Sequence, residues 1–426
     1  EMNPAGLWPP IGTGDGLMEV DGATINNSGW IVLARGASNQ VGVLNVFSGS
    51  LTYSGGGIGG NWTTAAGPTD QTTIINILGG SVTSSDQGVN FRSQNTGILN
   101  LKGGLLRATA VNGAGSLVNF NGGRLQAAAN NGGFLNVDSA YLYAGGGIID
   151  DNGFTITVPQ NIQSADGYGV SSIPLIDGGS GYIAPPIVTI TGGSGVGATA
   201  IATVSGGSVT GITVTSPGSG YTEFDFLTVN FIGGGVGAVP PTVGTITFAP
   251  NASGNLVKVG SGTLALNGAN MFTGSMVVSN GTLAGIGSLT GPLVVRSGAA
   301  LAPGENGIGT FSVAATPTFQ GSVVMDVDRA GGAPISDLLE AGSAPLVYAG
   351  TLVITNVGAE PLQVGDSFKL FNTAGGYSGS FSVVTHSAGQ SVTWNTANLT
   401  VDGTITVAAV GDAMADYPTN VTVQIS

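Results

Sequence analysis

One asparagine recurs in a fixed setting five times: VLNVFSGSL from Val43, IINILGGSV from Ile74, ILNLKGGLL from Ile98, LVNFNGGRL from Leu117 and FLNVDSAYL from Phe134. The asparagines are Asn45, Asn76, Asn100, Asn119 and Asn136. Six positions after each stands an apolar residue (Leu51, Val82, Leu106, Leu125, Leu142), and four positions after each a small one (Gly49, Gly80, Gly104, Gly123, Ala140). A phrase this short cannot bury its own apolar side, so its copies must stack on one another. The predicted architecture is a solenoid of β-coils. Leu44 and Val46 flank Asn45 and share a strand face, so they are expected to point inward together. The five asparagines are read as a structural amide ladder running from coil to coil. The glycines after each strand supply the corner, because glycine reaches positive φ without steric cost. Successive asparagines are 31, 24, 19 and 17 residues apart, and the surplus residues are expected to loop out at corners.

Composition narrows the class of partner. Only 8% of the 426 residues are charged, against about 25% in an ordinary globular domain, while 42% are hydrophobic. That balance supports a continuous core rather than disorder, which requires few apolar residues and much charge. With 9 Lys and Arg against 23 Asp and Glu, the net charge is −14. Nucleic acid and anionic membrane surfaces are therefore poor partners, since both need clustered cations. With no cysteine, disulfides and thiolate metal sites are excluded. No apolar run reaches the length of a membrane helix, so no membrane insertion by this segment is expected. The low charge and low lysine content fit work outside the cell. The chain starts at Glu1 and is read as a processed product or a piece of a longer one.

Five regions follow. Residues 1–40, with Trp8, Pro9 and Pro10 and an early strand at Gly29–Leu33, are read as an N-terminal cap. Residues 41–172 hold the asparagine coils. In residues 173–250, Asp177–Tyr182 (DGGSGY) returns as Ser216–Tyr221 (SPGSGY), and Gly192–Ala198 (GGSGVGA) as Gly233–Ala238 (GGGVGA). This is a duplicated glycine-rich β-module inserted between two solenoid stretches, and it resembles the GSGY…VTITGG…GATA repeats of secreted bacterial proteins. Residues 251–345 return to coils, and 346–426 form a β-rich C-terminal end with a terminal strand.

The second coil stretch carries a specific pattern. It runs Lys258-Val-Gly-Ser-Gly-Thr-Leu-Ala-Leu266, then Phe272-Thr-Gly-Ser-Met-Val-Val278, Gly281-Thr-Leu283, Gly285-Ile-Gly-Ser-Leu289 and Gly298-Ala-Ala-Leu-Ala-Pro-Gly304. It closely resembles the autotransporter-associated β-strand repeat, departing from it at Met271-Phe272. The resemblance implies a right-handed parallel β-helix at a bacterial cell surface or in the extracellular space; the hand also agrees with the general bias of parallel crossovers. In similar proteins a membrane barrel or a further domain follows the helix. Pro418–Val423 is read as the first strand of such a domain, or as a strand donated to a neighbour.

Chemistry is sparse. His386 is the single histidine, so a histidine zinc site is excluded, and no nucleophile elbow accompanies it. Gly192–Gly197 lacks the Lys-Ser/Thr that a phosphate loop needs. Two acidic pairs, Asp150 with Asp151 and Asp326 with Asp328, are the candidates for Ca²⁺ or for flanking a glycosidic bond. Lone cations at Arg92, Lys102, Arg107 and Arg124 could serve uronate binding, and Tyr53, Tyr141 and Tyr143 could stack on sugars. No cofactor is expected beyond Ca²⁺. The preferred reading is a non-catalytic extracellular structural protein: a rigid stalk, sheath or self-assembling filament, with adhesion as a secondary role, whose open ends pair head to tail into a homopolymer. The alternative is a protein that binds or degrades polysaccharide, with surface glycans as partners.

Overall fold

The computed structural model describes residues 14–34, 38–59, 70–84, 86–91, 96–329, 331, 333–386 and 391–411. Trp8, Pro9, Pro10, Arg92 and Pro418–Val423 lie outside them. The described residues are all-β, without an α-helix, and hold no helix long and apolar enough to cross a membrane.

The chain winds as stacked layers, each contributing short strands to sheets that run through the whole stack. In the first sheet, Gly16–Val20, Val41–Val46, Thr72–Ile77, Thr96–Leu101 and the second half of Val111–Phe120 lie parallel and adjacent. A second sheet stacks ten strands, from Thr24–Asn27 and Ser50–Tyr53 through Gly147–Asp150 and Leu256–Val259 to Thr318–Phe319. A third begins at Thr155–Val158 and Thr263–Leu266 and ends at Thr351–Asn356 and Val383–His386. Alternate residues face the axis: Leu44, Val46, Leu51, Ile75, Ile77, Val82, Leu99, Leu101 and Leu106 are wholly buried. They join one core that continues through Leu264, Leu301 and Ile354 to Val407. Each such side chain contributes about 1.5–3 kcal/mol of burial, which no single layer could collect alone. The corners are tight. Gly80 sits at φ 60°, and a Cβ there would lie 2.6 Å from the Gly49 carbonyl oxygen of the layer below.

The layered pattern starts earlier and ends later than the sequence boundaries at 41 and 346. Gly16–Val20 and Thr24–Asn27 already pair in register with the second layer. Gly16-Leu-Met-Glu-Val20 is the recurring phrase with Glu19 in the asparagine's place, which hid it. At the other end Thr351–Asn356 and Val383–His386 continue the third sheet. Ser367–Lys369, Ser391–Asn395 and Thr404–Gly411 break away, as an antiparallel sheet. Phe368, Leu370, Leu399, Ile405 and Val407 are buried there and close the C-terminal end of the core.

The insertion begins at Tyr168 rather than 173. Tyr168–Ser172 pairs antiparallel with Thr247–Pro250, and Leu175–Asp177 with Thr242–Val243, forming a stalk. Beyond it lies a four-stranded antiparallel sheet, ordered Ser208–Ser216, Thr199–Ser205, Ile187–Gly192, Leu227–Ile232. Layering then resumes as though nothing intervened, with Gly147 opposite Leu256. The two halves of the duplication interlock. The GSGY loop of each closes on the glycine loop of the other, through bridges Ser180–Val239 and Val196–Ser219. Tyr182 and Tyr221, equivalent in the two halves, are both buried in the module's own core.

Candidate functional site: a polar column beneath the inserted module

Four of the five asparagines form one column. Asn45, Asn76, Asn100 and Asn119 are direct neighbours on successive strands. Asn76 Nδ2 donates to Asn45 Oδ1 at 2.8 Å, Asn100 Nδ2 to Asn76 Oδ1 at 2.7 Å, and Asn119 Nδ2 to Asn100 Oδ1 at 2.8 Å. Every amide thus points the same way. Asn45 Nδ2 ends the run on Glu19 Oε1 at 3.1 Å, so a carboxylate caps the donor end. Sequence reasoning missed Glu19. Its signal was the apolar frame Leu17-Met18-Glu19-Val20.

Asn136 does not belong to the column. Asn119 faces Tyr141, whereas Asn136 faces Asn112, which in turn faces Asn90. The cause is a register shift between Gly113 and Leu117. There one long strand, Val111–Phe120, turns the corner without a break and displaces the FLNV phrase to the adjacent face. Asn136 is exposed, and Leu125 faces Ile149 rather than Leu142.

The column lies outside the layered core, yet its four asparagines are at most 2% exposed. The inserted module covers it. Val41, Val43, Ile74 and Ile98, on the column's face, pack against Ile187 of the module, with Leu17, Leu117 and Ile232 alongside. Asn100 Nδ2 also bonds Thr199 Oγ1 at 2.8 Å, and Thr199 bonds Thr215 at 2.7 Å. Lys102 Nζ donates to the Val214 carbonyl at 2.5 Å, and burial there lowers its pKa. The sequence did hold a signal for this cover. Val43, Ile74, Ile98 and Leu117, two positions before each asparagine, make the outer face apolar too, as in strands buried on both sides.

The acidic pair at 150–151 meets cations of the protein's own. Lys258 and Asp151 form an ion pair with both side chains wholly buried. Lys258 Nζ donates to Asp151 Oδ2, to the Asn280 carbonyl at 2.8 Å and to the Gly260 carbonyl at 3.2 Å. Asp151 Oδ1 accepts from the amides of Gly153 at 2.9 Å and Gly262 at 2.6 Å. Both charges are therefore satisfied, the condition for tolerating an ion pair in a low dielectric. Burial still lowers the Lys258 pKa, despite the opposing pull of Asp151. Asp150 accepts from Gln126 at 2.7 Å and from the Asn152 amide at 2.8 Å, and lies 3.5 Å from Arg124. The two carboxylates read as one calcium site thus serve separate protein partners.

Asp326 and Asp328 share one strand face but have different neighbours. Asp328 lies against Gly358, where even a methyl group would meet its Oδ1 at 1.8 Å. Asp326 is tied through its backbone to Asp337, a residue not among the candidates for a site. The Asp337 carboxylate is buried and accepts from the amides of Gly309 and Asp326, each at 2.8 Å. Burial outweighs those bonds and lifts its pKa to about 7; burial raises Asp326 as well. A carboxyl raised in the folded state holds its proton there after the unfolded chain has lost it. The contribution of Asp337 to stability is then greatest at pH below about 4, falls as pH rises towards 7 and levels above it. We expect a loss of about 2–4 kcal/mol across that window, read by urea melts at pH 5 and pH 8, with a flattened slope in Asp337→Asn.

The remaining candidates do not converge. Tyr53 is in the core, and Tyr143 is buried, its hydroxyl hydrogen-bonded to Ser216 of the module. Neither is the outward sugar platform the sequence suggested. Tyr141 stays half-buried beside Tyr143, ring centroids 6.4 Å apart. Arg107 faces Gln126, and Arg124 faces Leu105, so the two arginines are diagonal rather than stacked. His386 is a half-buried strand residue, 6.1 Å from the Trp394 ring, and burial lowers its pKa. Among the described residues no three His, Asp or Glu side chains gather as metal ligands. A cleft of about 150 Å³ lies between Tyr143 and Ala144 of the layers and Val170 and Pro250 of the stalk, smaller than the roughly 300 Å³ at which ligand pockets begin.

Residues 256–284 match the family model described as Passenger-associated-transport-repeat. No curated protein matches the chain. The matched stretch is one layer and the start of the next, from Leu256–Val259 to Gly281–Gly285, and it contains Lys258. Its likeness is to an autotransporter passenger-type repeat.

Proposed function

We propose that the chain is a right-handed parallel β-helix serving as a non-catalytic, extracellular structural stalk of the autotransporter passenger type. The observation that carries this reading is the destination of the polar groups. The four asparagines of the column, Asp150, Asp151 and Asp337 make their hydrogen bonds to other parts of the protein, chiefly neighbouring layers, as a load-transmitting rod requires. The passenger-type repeat at 256–284 supports an extracellular setting. The polysaccharide reading loses two of its three tyrosines to burial.

The test pairs shape with chemistry. Small-angle scattering of the purified chain is expected to give a rigid rod whose dimensions and thermal midpoint are unchanged by EDTA. Incubation with a panel of neutral and uronate polysaccharides is expected to release no new ends. Turnover of any of them, abolished by Asp150→Asn or Asp326→Asn, would replace the structural reading with an enzymatic one.

A further inference from the structure

The inserted sheet ends in a bare edge. Leu227–Ile232 pairs with Ile187–Gly192 on one side only. Natural edge strands are usually blunted by charge, proline or a bulge. This strand, Leu-Thr-Val-Asn-Phe-Ile, has no charge and no proline, and its pairing runs without a register shift. The opposite edge differs. Ser208–Ser216 carries two register shifts and is held to the layered body through Lys102 and the Val214 carbonyl.

The ends of the bare strand are apolar and exposed. Before it stand Phe224 (78% exposed) and Phe226 (92%); after it stands Val236 (fully exposed), with Ile183 (89%) beside it. Ile183 is placed there by its amide, which donates to the Gly234 carbonyl at 2.7 Å. Thr228 and Asn230, on the face turned towards the layered body, are exposed, so the strand overhangs that body rather than lying on it.

We propose that Leu227–Ile232 is a lateral docking edge for a second copy of this chain, paired antiparallel about a twofold axis at Asn230. Two sheets of four strands then become one of eight. An antiparallel twofold sets the phenylalanine end of one copy against the Val236 and Ile183 end of the other, so both apolar groups are covered at once. Charge favours the same arrangement. The chain carries −14, and most encounters between copies are repulsive. Here Asp225 meets the uncharged Gly235 of the partner and Glu223 meets its Gly237, instead of each other. The contact is isologous and closes at two, unlike end-to-end growth. It is independent of the stalk reading, which concerns the layers and not the module.

The chain has no cysteine, which makes trapping clean. Asn230→Cys, oxidised at micromolar protein, is expected to give a disulfide-linked dimer, whereas Thr210→Cys on the opposite edge stays unlinked. Sedimentation velocity on the unmodified chain is expected to show a concentration-dependent dimer. Asn230→Lys, which sets two like charges opposite each other, should weaken it by at least about tenfold while leaving the melting curve in place. A monomer at every concentration, equal linking by both cysteines, or growth past the dimer would each overturn the proposal. The rod dimensions of the monomer would be untouched by any of these results.

Discussion

Lys258→Met is expected to destabilise the chain by about 3–5 kcal/mol, because it leaves the Asp151 carboxylate charged and dry. The magnitude follows from burial: neither side chain has any exposure, so water cannot replace the ammonium. Adding Asp151→Asn should recover most of the loss. Asparagine is uncharged, yet its Oδ1 still accepts from the Gly153 and Gly262 amides that Asp151 now satisfies. Arg124→Ala is the contrasting case. Arg124 lies 3.5 Å from Asp150 and is 42% exposed, so its removal should cost no more than about 1 kcal/mol. Urea denaturation of the three variants checks all three statements. The pair joins Asp151, before the inserted module, to Lys258, after it. A loss no larger than that of Arg124→Ala would mean that the two layers are not seated on each other as described.

Asn100→Asp is the second large effect. Asn100 donates to both Asn76 and Thr199, and an ionised carboxylate donates nothing. Asn76 Oδ1 then loses its donor in a buried setting, at about 1–3 kcal/mol, and an unpaired charge is added in the same place. The expected total exceeds about 3 kcal/mol at pH 8. The introduced carboxyl is raised by burial, so the variant is more stable at low pH, where its proton restores a donor, and loses that stability as pH rises through the raised pKa. Asn136→Asp, at an exposed position of the same sequence phrase, should change stability by less than about 0.5 kcal/mol. Equal effects at the two sites would contradict the column.

The parallel layering was legible because it is periodic. Leu44, Ile75 and Leu99 repeat on the same frame, and the corner glycines punctuate it. The column was legible for the same reason, but only where the frame held. A corner taken without a break moved Asn136 to another face, and a Glu in place of Asn concealed the first layer. The module's resting place was half legible. Apolar residues on both faces of the asparagine strands demanded a cover, yet nothing local says which segment supplies it. The Lys258–Asp151 pair was invisible: its members are 107 residues apart, and only the stacking of Gly147 on Leu256 brings them together. Charged residues read singly suggested ligands, and three-dimensional neighbours turned most of them into structural bonds.

The claim underlying all of this is that successive layers stack one strand apart in a fixed register, and disulfide trapping reads that register directly. Thr52 and Thr83 face each other on adjacent strands, and Arg107 lies one strand further. Adjacent strands are about 4.8 Å apart, within the span of a disulfide, and the next is about 9.6 Å away, beyond it. Thr52→Cys with Thr83→Cys is expected to close quantitatively in the folded chain without lowering its melting point, while Thr52→Cys with Arg107→Cys stays reduced. An open 52–83 pair, or a 52–107 pair that closes as readily, would contradict the stack.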